Sequence, residues 1–397
     1  MTDQALFAAI LADPEDDAPR LVYADWLDEH GDSDRAEFIR VQCDLARRPK
    51  YDDRRPALEA RERELLKRYG AAWAKPVAAI TKEYEFRRGF VAAVTIGAAK
   101  LLSHGDQLFA TAPVRHVRVL RLGSANASAA DLAASPLWPR VRSLTLGGRL
   151  APGDLRTVLM APGLKKLTGL SVAGGFAVVD LAPLLEGRLP HLERLDLDAE
   201  GPVVTTAHVE QLAAANWAAN LKHLNLNWHK INVGGVQAIA ESKRLKGLTR
   251  LHLRLTGVGL GGVKALSESK TLANLTTLDL RSNRLNDNAV RPLTESKLLP
   301  SLTELYLGMN DLGPDGARGV AEWRGLARLR LLHLYQNRIG DDGAIALAES
   351  PYAANLRYLD VTETGLTARG REALAASPYL KGANLAGLRE WPEDPAW

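Results

Sequence analysis

A chain of 397 residues with 46% hydrophobic and 25% charged side chains has the composition of a folded globular protein, which excludes disorder on a large scale. Its net charge of +4 is small for that length and gives no basis for a nucleic-acid surface. A single cysteine, Cys43, excludes an internal disulfide, and no apolar stretch reaches the 18 residues a membrane-spanning helix needs.

The opening MTDQALFAAILADPEDD carries acids where a signal peptide needs a basic start, so the cytoplasm is the expected location. Residues 1–34 hold ten acids against one arginine, and residues 35–68 hold eleven Lys/Arg against seven acids. Opposite charge in adjacent segments implies that they fold against each other. In APRLVYADWLDEHGDSDRAEFIRVQ, Pro19 suits the first turn of a helix and Gly31 its end, with Val22, Tyr23, Trp26, Leu27 and His30 as its apolar stripe. Asp34 and Glu37 have the spacing of a capping box for the next helix, which runs towards Arg48 with Ile39, Cys43 and Ala46 on one side. A third helical pattern, PALEARERELLKRYG, places Glu59/Arg63 and Glu64/Arg68 at i,i+4. Caps, turn acids and inter-helix pairs absorb most of these charges, and only Asp25 is left without a role. The acids Asp13, Glu15, Asp16 and Asp17 lack the spacing of a calcium loop, so no metal site is expected. Cys43 follows its helix's apolar stripe and reads as a buried, inert thiol.

The segment RRGFVAAVTIGAAKLLSHGDQLFATAPVRHVRVL predicts a strand at Phe90–Ile96, a helix, and the first strand of an array. From Leu221 the chain repeats every 27 residues: LKHLNL at Leu221, LTRLHL at Leu248, LTTLDL at Leu275, LTELYL at Leu302, LRLLHL at Leu329 and LRYLDV at Leu356. The LxxLxL alternation is that of a strand with one buried face, and the apolar spacing that follows, as in GAIALAES, is helical. One such unit cannot bury its apolar stripe alone, so stacked neighbours make the core. Weaker copies at Val117, Val141, Leu167, Leu192 and Leu380 bring the count to eleven strands. Serine recurs at Ser242, Ser269, Ser296, Ser350 and Ser377, with Trp323 in its place once. Asparagine recurs at Asn283, Asn310 and Asn337, where its amide can bond backbone groups of adjacent turns; His229, Thr256 and Thr364 replace it elsewhere, in turns expected to be looser.

These repeats resemble the leucine-rich repeat of the long, ribonuclease-inhibitor-like class. The resemblance implies an α/β fold, a right-handed solenoid with a parallel sheet on the concave face and helices on the convex face, preceded by a small all-α domain. The run LFAAILADPEDDAPRLVYADWLDEHGDSDRAEFIRVQ, with its PRLVYADWLDE core, resembles the bacterial repeat-companion domain known chiefly from planctomycete proteins, a family with no assigned activity. The reading divides the chain into a companion domain at 1–75, a strand-helix joint and cap at 76–113, repeats at 114–385 and a C-terminal tail at 386–397, where Trp391 and Trp397 are expected to cover the last turn.

Outward positions on the concave face form columns. The middle one reads Arg121, Thr145, Ser171, Asp196, Asn225, His252, Asp279, Tyr306, His333, Asp360 and Asn384. Around it stand His223, Trp228, Arg250, Arg254, Arg281, Glu304, Tyr335 and Tyr358, whereas the early strands offer Gly123, Gly147, Gly169 and Ala173. Aromatics and arginines are what interface centres use most, so the decorated late half is the expected partner-binding patch. His252 beside Asp279 could be read as a proton-transfer pair, but no serine or cysteine nucleophile neighbours it on the face. The histidines His223, His252 and His333 come from separate strands, too spread for one zinc ion. The sequence therefore predicts a monomeric, non-enzymatic protein without cofactor that binds a protein partner, not nucleic acid or membrane. Two narrower readings stay open: a regulator of a nucleotide hydrolase, and an adaptor that docks through its N-terminal domain.

Overall fold

The structure, a computed structural model, describes residues 2–122, 127–148, 151, 153–173, 181–198, 204–296 and 299–388; Gly123, Trp391 and Trp397 fall outside that set. The chain forms two compact units, one holding the chain through Ala173, the other the chain from Leu192, with the segment between divided among them. No described helix is long and apolar enough to cross a membrane.

The first unit opens with helices α1 (Asp3–Ala12), α2 (Ala18–Glu29), α3 (Ser33–Arg47), α4 (Arg55–Trp73) and the short α5 (Lys75–Ala78). An antiparallel hairpin follows, β1 (Glu83–Arg87) and β2 (Phe90–Gly97), and then α6 (Ala98–Thr111), β3 (His116–Leu120), α7 (Ala129–Ala133), β4 (Ser143–Gly147), α8 (Asp154–Leu159) and β5 (Gly169–Ala173). The strand, helix and strand expected from Phe90 onward are β2, α6 and β3, and β2 to β5 pair in parallel, each with the next. Strand β1 was not anticipated from the sequence.

Helix α2 begins with Pro19 in its first turn, but its buried side is Arg20, Ala24 and Leu27, spaced as one face of a helix. Of the expected stripe, Leu27 is buried and Tyr23 and Trp26 are half-buried; Val22 is 45% exposed, and exposed His30 stacks on Trp26 at 3.9 Å. The cap of α3 is Asp32, whose carboxylate accepts the Arg35 N–H at 3.2 Å, and not Asp34. Because the helix starts at Ser33, Asp34 already lies inside its first turn and accepts from the Tyr69 hydroxyl, while Glu37 takes two bonds from Arg61 at 2.8 and 2.6 Å. On α4, Glu59 pairs with Arg55 and Glu64 with Arg61, in place of the Arg63 and Arg68 pairings.

Opposite charge does bring the acidic and basic segments together: Arg40 holds both Asp25 (2.6 Å) and Asp28 (2.5 Å), and Arg47 reaches Asp17 at 2.8 Å. Asp25 thus has its role. Ile10, Ala24, Leu27, Ala36, Ile39, Cys43 and Phe90 form one core, so the hairpin and the helices fold as a single body. Arg35, 8% exposed, lies against Phe38, Trp73, Phe86 and Phe90 at 4.7 to 5.9 Å from their ring centres, where cation–π attraction offsets part of the cost of burying its charge. Burial lowers its pKa to about 10.

Helix α9 (Ala182–Leu185) lies in the divided segment, and the second unit then alternates strands and helices: β6 (Arg194–Asp196), α10 (Thr206–Ala214), β7 (His223–Asn225), α11 (Asn232–Glu241), β8 (Arg250–His252), α12 (Gly259–Ser267), β9 (Thr277–Asp279), α13 (Asp287–Glu295), β10 (Glu304–Tyr306), α14 (Pro314–Glu322), β11 (Leu331–His333), α15 (Gly340–Glu349), β12 (Tyr358–Asp360), α16 (Ala368–Ala376) and β13 (Asn384–Ala386). From β6 onward each strand pairs in parallel with the next, so Leu224, Leu251, Leu278, Leu305, Leu332 and Leu359 stand in one fully buried column. Burying each such side chain contributes roughly 1.5–3 kcal/mol, which is what draws one turn onto its neighbour.

Polar ladders close the gaps between turns. Asn283 donates to the carbonyls of Leu253, Leu280 and Arg281, and its oxygen accepts from Thr256, Gly257 and Val258. His229 does comparable work by bonding the Leu197 carbonyl at 2.6 Å, whereas Thr256 and Thr364 donate to carbonyls of their own turns, Leu253 and Val361. The recurring serines each donate from the helix end to the turn before: Ser242 to Ala213, Ser269 to Ala240, Ser296 to Ser267, Ser350 to Ala321 and Ser377 to Ala348. At Trp323 that tie is replaced by a buried ring, and a cavity of about 750 Å³ lined by Asp287, Thr294, Gly316, Gly319 and Trp323 opens between α13 and α14.

A further column, three residues past the middle strand position, is left-handed in every described turn from β7 to β12: Trp228 (φ 70°), Leu255, Ser282, Met309, Gln336 and Glu363 (φ 52° to 56°). Arg121 (φ 56°) and Gly148 hold the equivalent place after β3 and β4. The register shows why Arg121 is not in the middle column: Arg118 pairs with Thr145 there, three residues earlier. At the other end the column closes on Ala386, which pairs with Asp360, because Asn384 stands opposite Tyr358.

Candidate functional site

The sheet of the second unit covers its buried leucines with two rows of side chains on the face away from the helices. His223, Arg250, Thr277, Glu304, Leu331 and Tyr358 form one row, and Asn225, His252, Asp279, Tyr306, His333 and Asp360 the next. In the first unit the corresponding strand positions are sparse, with Gly147, Gly169 and Ala173 on β4 and β5, and a Cβ at Gly147 would press on Leu120 at 2.9 Å.

Depth separates the expected partner-binding residues into two groups. Asn225, Asp279, Glu304, Tyr306 and Asp360 are buried, Asp279 completely, beneath their neighbours' long side chains. His223, Trp228, His252, Arg254, Arg281, His333, Tyr335 and Tyr358 are half-buried, and Arg250 is exposed. The buried group is a floor that fixes the upper group in place.

Asp279 is the centre of that floor. It accepts from the Arg281 backbone N–H and Nε at 3.0 Å and from Nη2 at 2.6 Å, and His252 Nδ1 lies 3.6 Å away. Burial pushes its pKa up, but the bonds from His252 and Arg281 outweigh burial and bring it down to about 2. Burial likewise opposes the charge on Arg281, and Asp279 overcomes it, holding that guanidinium protonated 5.2 Å from the Tyr306 ring centre. Tyr306 donates to Glu304 at 3.2 Å, which also accepts from Thr277, and burial and that carboxylate raise the phenol's pKa.

His333 stacks on Tyr306 (4.9 Å, 16°), touches Tyr335 and Tyr358, and sits 3.2 Å from Asp360. Burial opposes ionisation of Asp360, and the contacts with His333 and Thr362 override it. At the other end His223 and His252 lie 5.0 Å apart; burial, then Arg194, His252 and Arg250, drive the His223 pKa down to about 2, so its ring is neutral. The Arg254 guanidinium stands 4.9 Å from the Trp228 ring centre. Sequence reasoning missed the rim beside them: Leu255 is 43% and Met309 38% exposed, both in the left-handed column, and the Ser282 hydroxyl and Arg254 reach the Met309 sulfur. The 27-residue spacing from Trp228 was the available signal.

His252, Asp279 and Tyr306 are brought together, but around them are hydrogen-bond and stacking partners, with no serine or cysteine among the neighbouring outward positions. Among the described residues no group of three His, Cys, Asp or Glu side chains could hold a metal ion. The arrangement is chemically suited to recognition: aromatic faces, cations and a few neutral donors on a fixed sheet.

A family model described as Leucine Rich repeat matches residues 218–240, 271–293, 299–321, 329–348 and 352–375. No curated protein matches the sequence. Among solved structures, an internalin from Listeria monocytogenes str. 4b F2365 is similar at 16% identity over 69% of this chain and 87% of its own, with a TM-score of 0.36. A protein from Bacteroides fragilis is similar at 14% identity over 82% of this chain and 85% of its own, with a TM-score of 0.38. Over the matched stretches, where strand, turn and helix recur with buried leucines in register, the chain is built of leucine-rich repeats.

Proposed function

We propose that the protein is a non-enzymatic recognition scaffold that holds a partner protein against the open face of β7 to β12. The observation that carries this is the layered face itself: half-buried Trp228, Arg254, His333, Tyr335 and Tyr358 locked by a buried polar floor. Side chains already fixed lose little entropy when a partner docks, so their contact area goes into affinity. Rings and guanidiniums in such positions are the residues that dominate interface energies.

The N-terminal helices are proposed to be a repeat-companion domain, and the chain a cytoplasmic, bacterial-type monomer; its one cysteine, buried and reduced, suits that compartment. The adaptor reading is supported by the packing of these helices into one core with Phe90 of the hairpin, which makes them an ordered body able to present a docking surface. Regulation of a partner's nucleotide hydrolysis is a narrower form of the same reading and rests on fold analogy.

The test is affinity purification from native extract with the intact chain and with Trp228→Ala/Tyr335→Ala/Tyr358→Ala. A partner retained by the first and lost by the second supports the face; equal retention by both rejects it. Removal of residues 1–90 in parallel separates the adaptor from simple recognition.

A further inference from the structure

The first unit contains a cavity of about 390 Å³ that the open-face reading does not use. It lies where the Arg88–Gly89 turn between β1 and β2 meets α2, α3, α4 and the segment entering β3. Arg20, Arg55, Arg87, Arg88, Arg115 and His116 line it, against the carboxylates of Glu15 and Glu62. Five guanidiniums thus face two carboxylates in the lining itself, and the further carboxylates that pair with them stand outside it.

Three of these arginines have carboxylate partners: Arg55 with Glu59 at 3.0 Å, Arg87 with Glu85 at 3.0 Å, and Arg88 with Glu15 and Asp17 at 3.3 and 3.4 Å. Among the described residues Arg20 and Arg115 donate only to backbone carbonyls, Arg20 to Pro14 (2.7 Å) and Arg88 (3.2 Å), Arg115 to Arg140 (2.7 Å). The Nε atoms of both are buried and have no hydrogen-bond partner among the described residues. Arg20 is 1% exposed, and a buried guanidinium with no carboxylate in direct contact is costly to maintain. Burial lowers the pKa of both groups, and the carboxylates nearby, Asp17 and Glu15 for Arg20 and Glu15 and Asp13 for Arg115, offset it only in part.

The cavity is also pre-organised. Gln42 accepts the Gly89 N–H at 2.6 Å and donates to Glu62 and to the Phe86 carbonyl, so one side chain ties the turn, α3 and α4 together.

We propose that this cavity binds a small phosphate-bearing molecule. A phosphate group carries about −1.5 to −2 charges at neutral pH and so can answer both Arg20 and Arg115, the two guanidiniums here without an ion-pair partner among the described residues, where one carboxylate answers a single charge. Guanidinium forks match its oxygens in planar, paired hydrogen bonds. The volume lies within the range of small-molecule sites.

Calorimetry of the full chain with inorganic pyrophosphate as probe tests this, comparing Arg115→Gln, Arg87→Gln and the control Arg318→Gln on α14. The expected result is saturable one-site binding by the wild type and the control, weakened at least tenfold by either cavity variant. Arg87 is half-exposed, so its variant keeps the test valid if Arg115→Gln perturbs folding. Absence of saturable binding by the wild type, or unchanged binding by Arg87→Gln, overturns the proposal.

Discussion

The carboxamide oxygen of Asn310 accepts the backbone N–H of Asn283 at 2.9 Å, so the side chain that closes one turn holds the residue that closes the turn before. Asn310 also accepts from Leu285 and donates to Leu280, Leu307 and Gly308. Asn310→Ala leaves these buried groups unpaired and is expected to cost about 3–5 kcal/mol. Urea unfolding checks the value. Because the Leu280 carbonyl accepts from both carboxamides, either variant alone leaves it paired, so Asn283→Ala/Asn310→Ala is expected to cost more than the sum of the single variants, and strict additivity counts against the ladder.

His223 makes stability depend on pH in a defined window. Its folded pKa, about 2, lies below the ordinary value near 6.5, so the unfolded chain binds the proton more tightly. The contribution is fully present above pH ~6.5 and is lost as pH falls, at no more than about 1.4 kcal/mol per unit. Asp279, also depressed to about 2, adds a loss of the same sign only below its own unfolded value near 4. Between pH 6.5 and 4.5 the slope of stability is therefore expected to flatten in His223→Gln, read as urea midpoints against pH; an unchanged slope assigns it elsewhere.

The 27-residue repeat was legible because six copies keep phase, and a register fixed by one copy is fixed for all. Its ends were not. Val114, Val117, Val119, Leu120 and Leu122 allow two LxxLxL alignments three residues apart, and only pairing with Ser143–Gly147 selects the earlier one. Leu380 is buried at 2%, as a repeat start should be, yet the strand that follows is shifted by two residues. The strand EYEFR was missed because its partner lies across a two-residue turn, Arg88-Gly89, where Arg88 is left-handed without being Asn or Asp. On the face, residue types were readable but depth was not. Asp279 and Tyr306 are buried by side chains from the strands beside them, a property of pairs of turns and not of any one segment.

Gly89 tests the joint between hairpin and helices. Its φ is +86°, and a Cβ would lie 2.8 Å from the Ile39 Cα and 2.5 Å from its Cγ1. Gly31 has the same φ, +87°, with nothing near. Gly31→Ala is expected to cost about 1–2 kcal/mol from backbone strain alone, and Gly89→Ala about 3 kcal/mol or more, since Ile39 backbone must move as well. Equal costs in thermal unfolding would show that the hairpin does not press on α3.

Cys43 is 1% exposed, and burial, followed by Asp17, pushes its pKa up to about 12. The thiolate is the reactive form, so at pH 8 the native thiol is expected to react with a disulfide reagent at least ~100-fold more slowly than in urea. A native rate matching the unfolded one would refute the buried assignment.

The serines at the helix ends also govern how the array answers a pull. Each ties its turn to the one before through a single short bond, so tension along the chain is passed from seam to seam like load through a row of rivets. The row is interrupted at Trp323, beside the cavity between α13 and α14. At that helix end load is borne by ring packing, which resists compression well and shear poorly. The array therefore has a weak seam on its helix side, and stretching opens α13 from α14 first, while the bonds of Asn310 to Asn283, Leu285 and Leu280 keep the strand side of the same two turns joined.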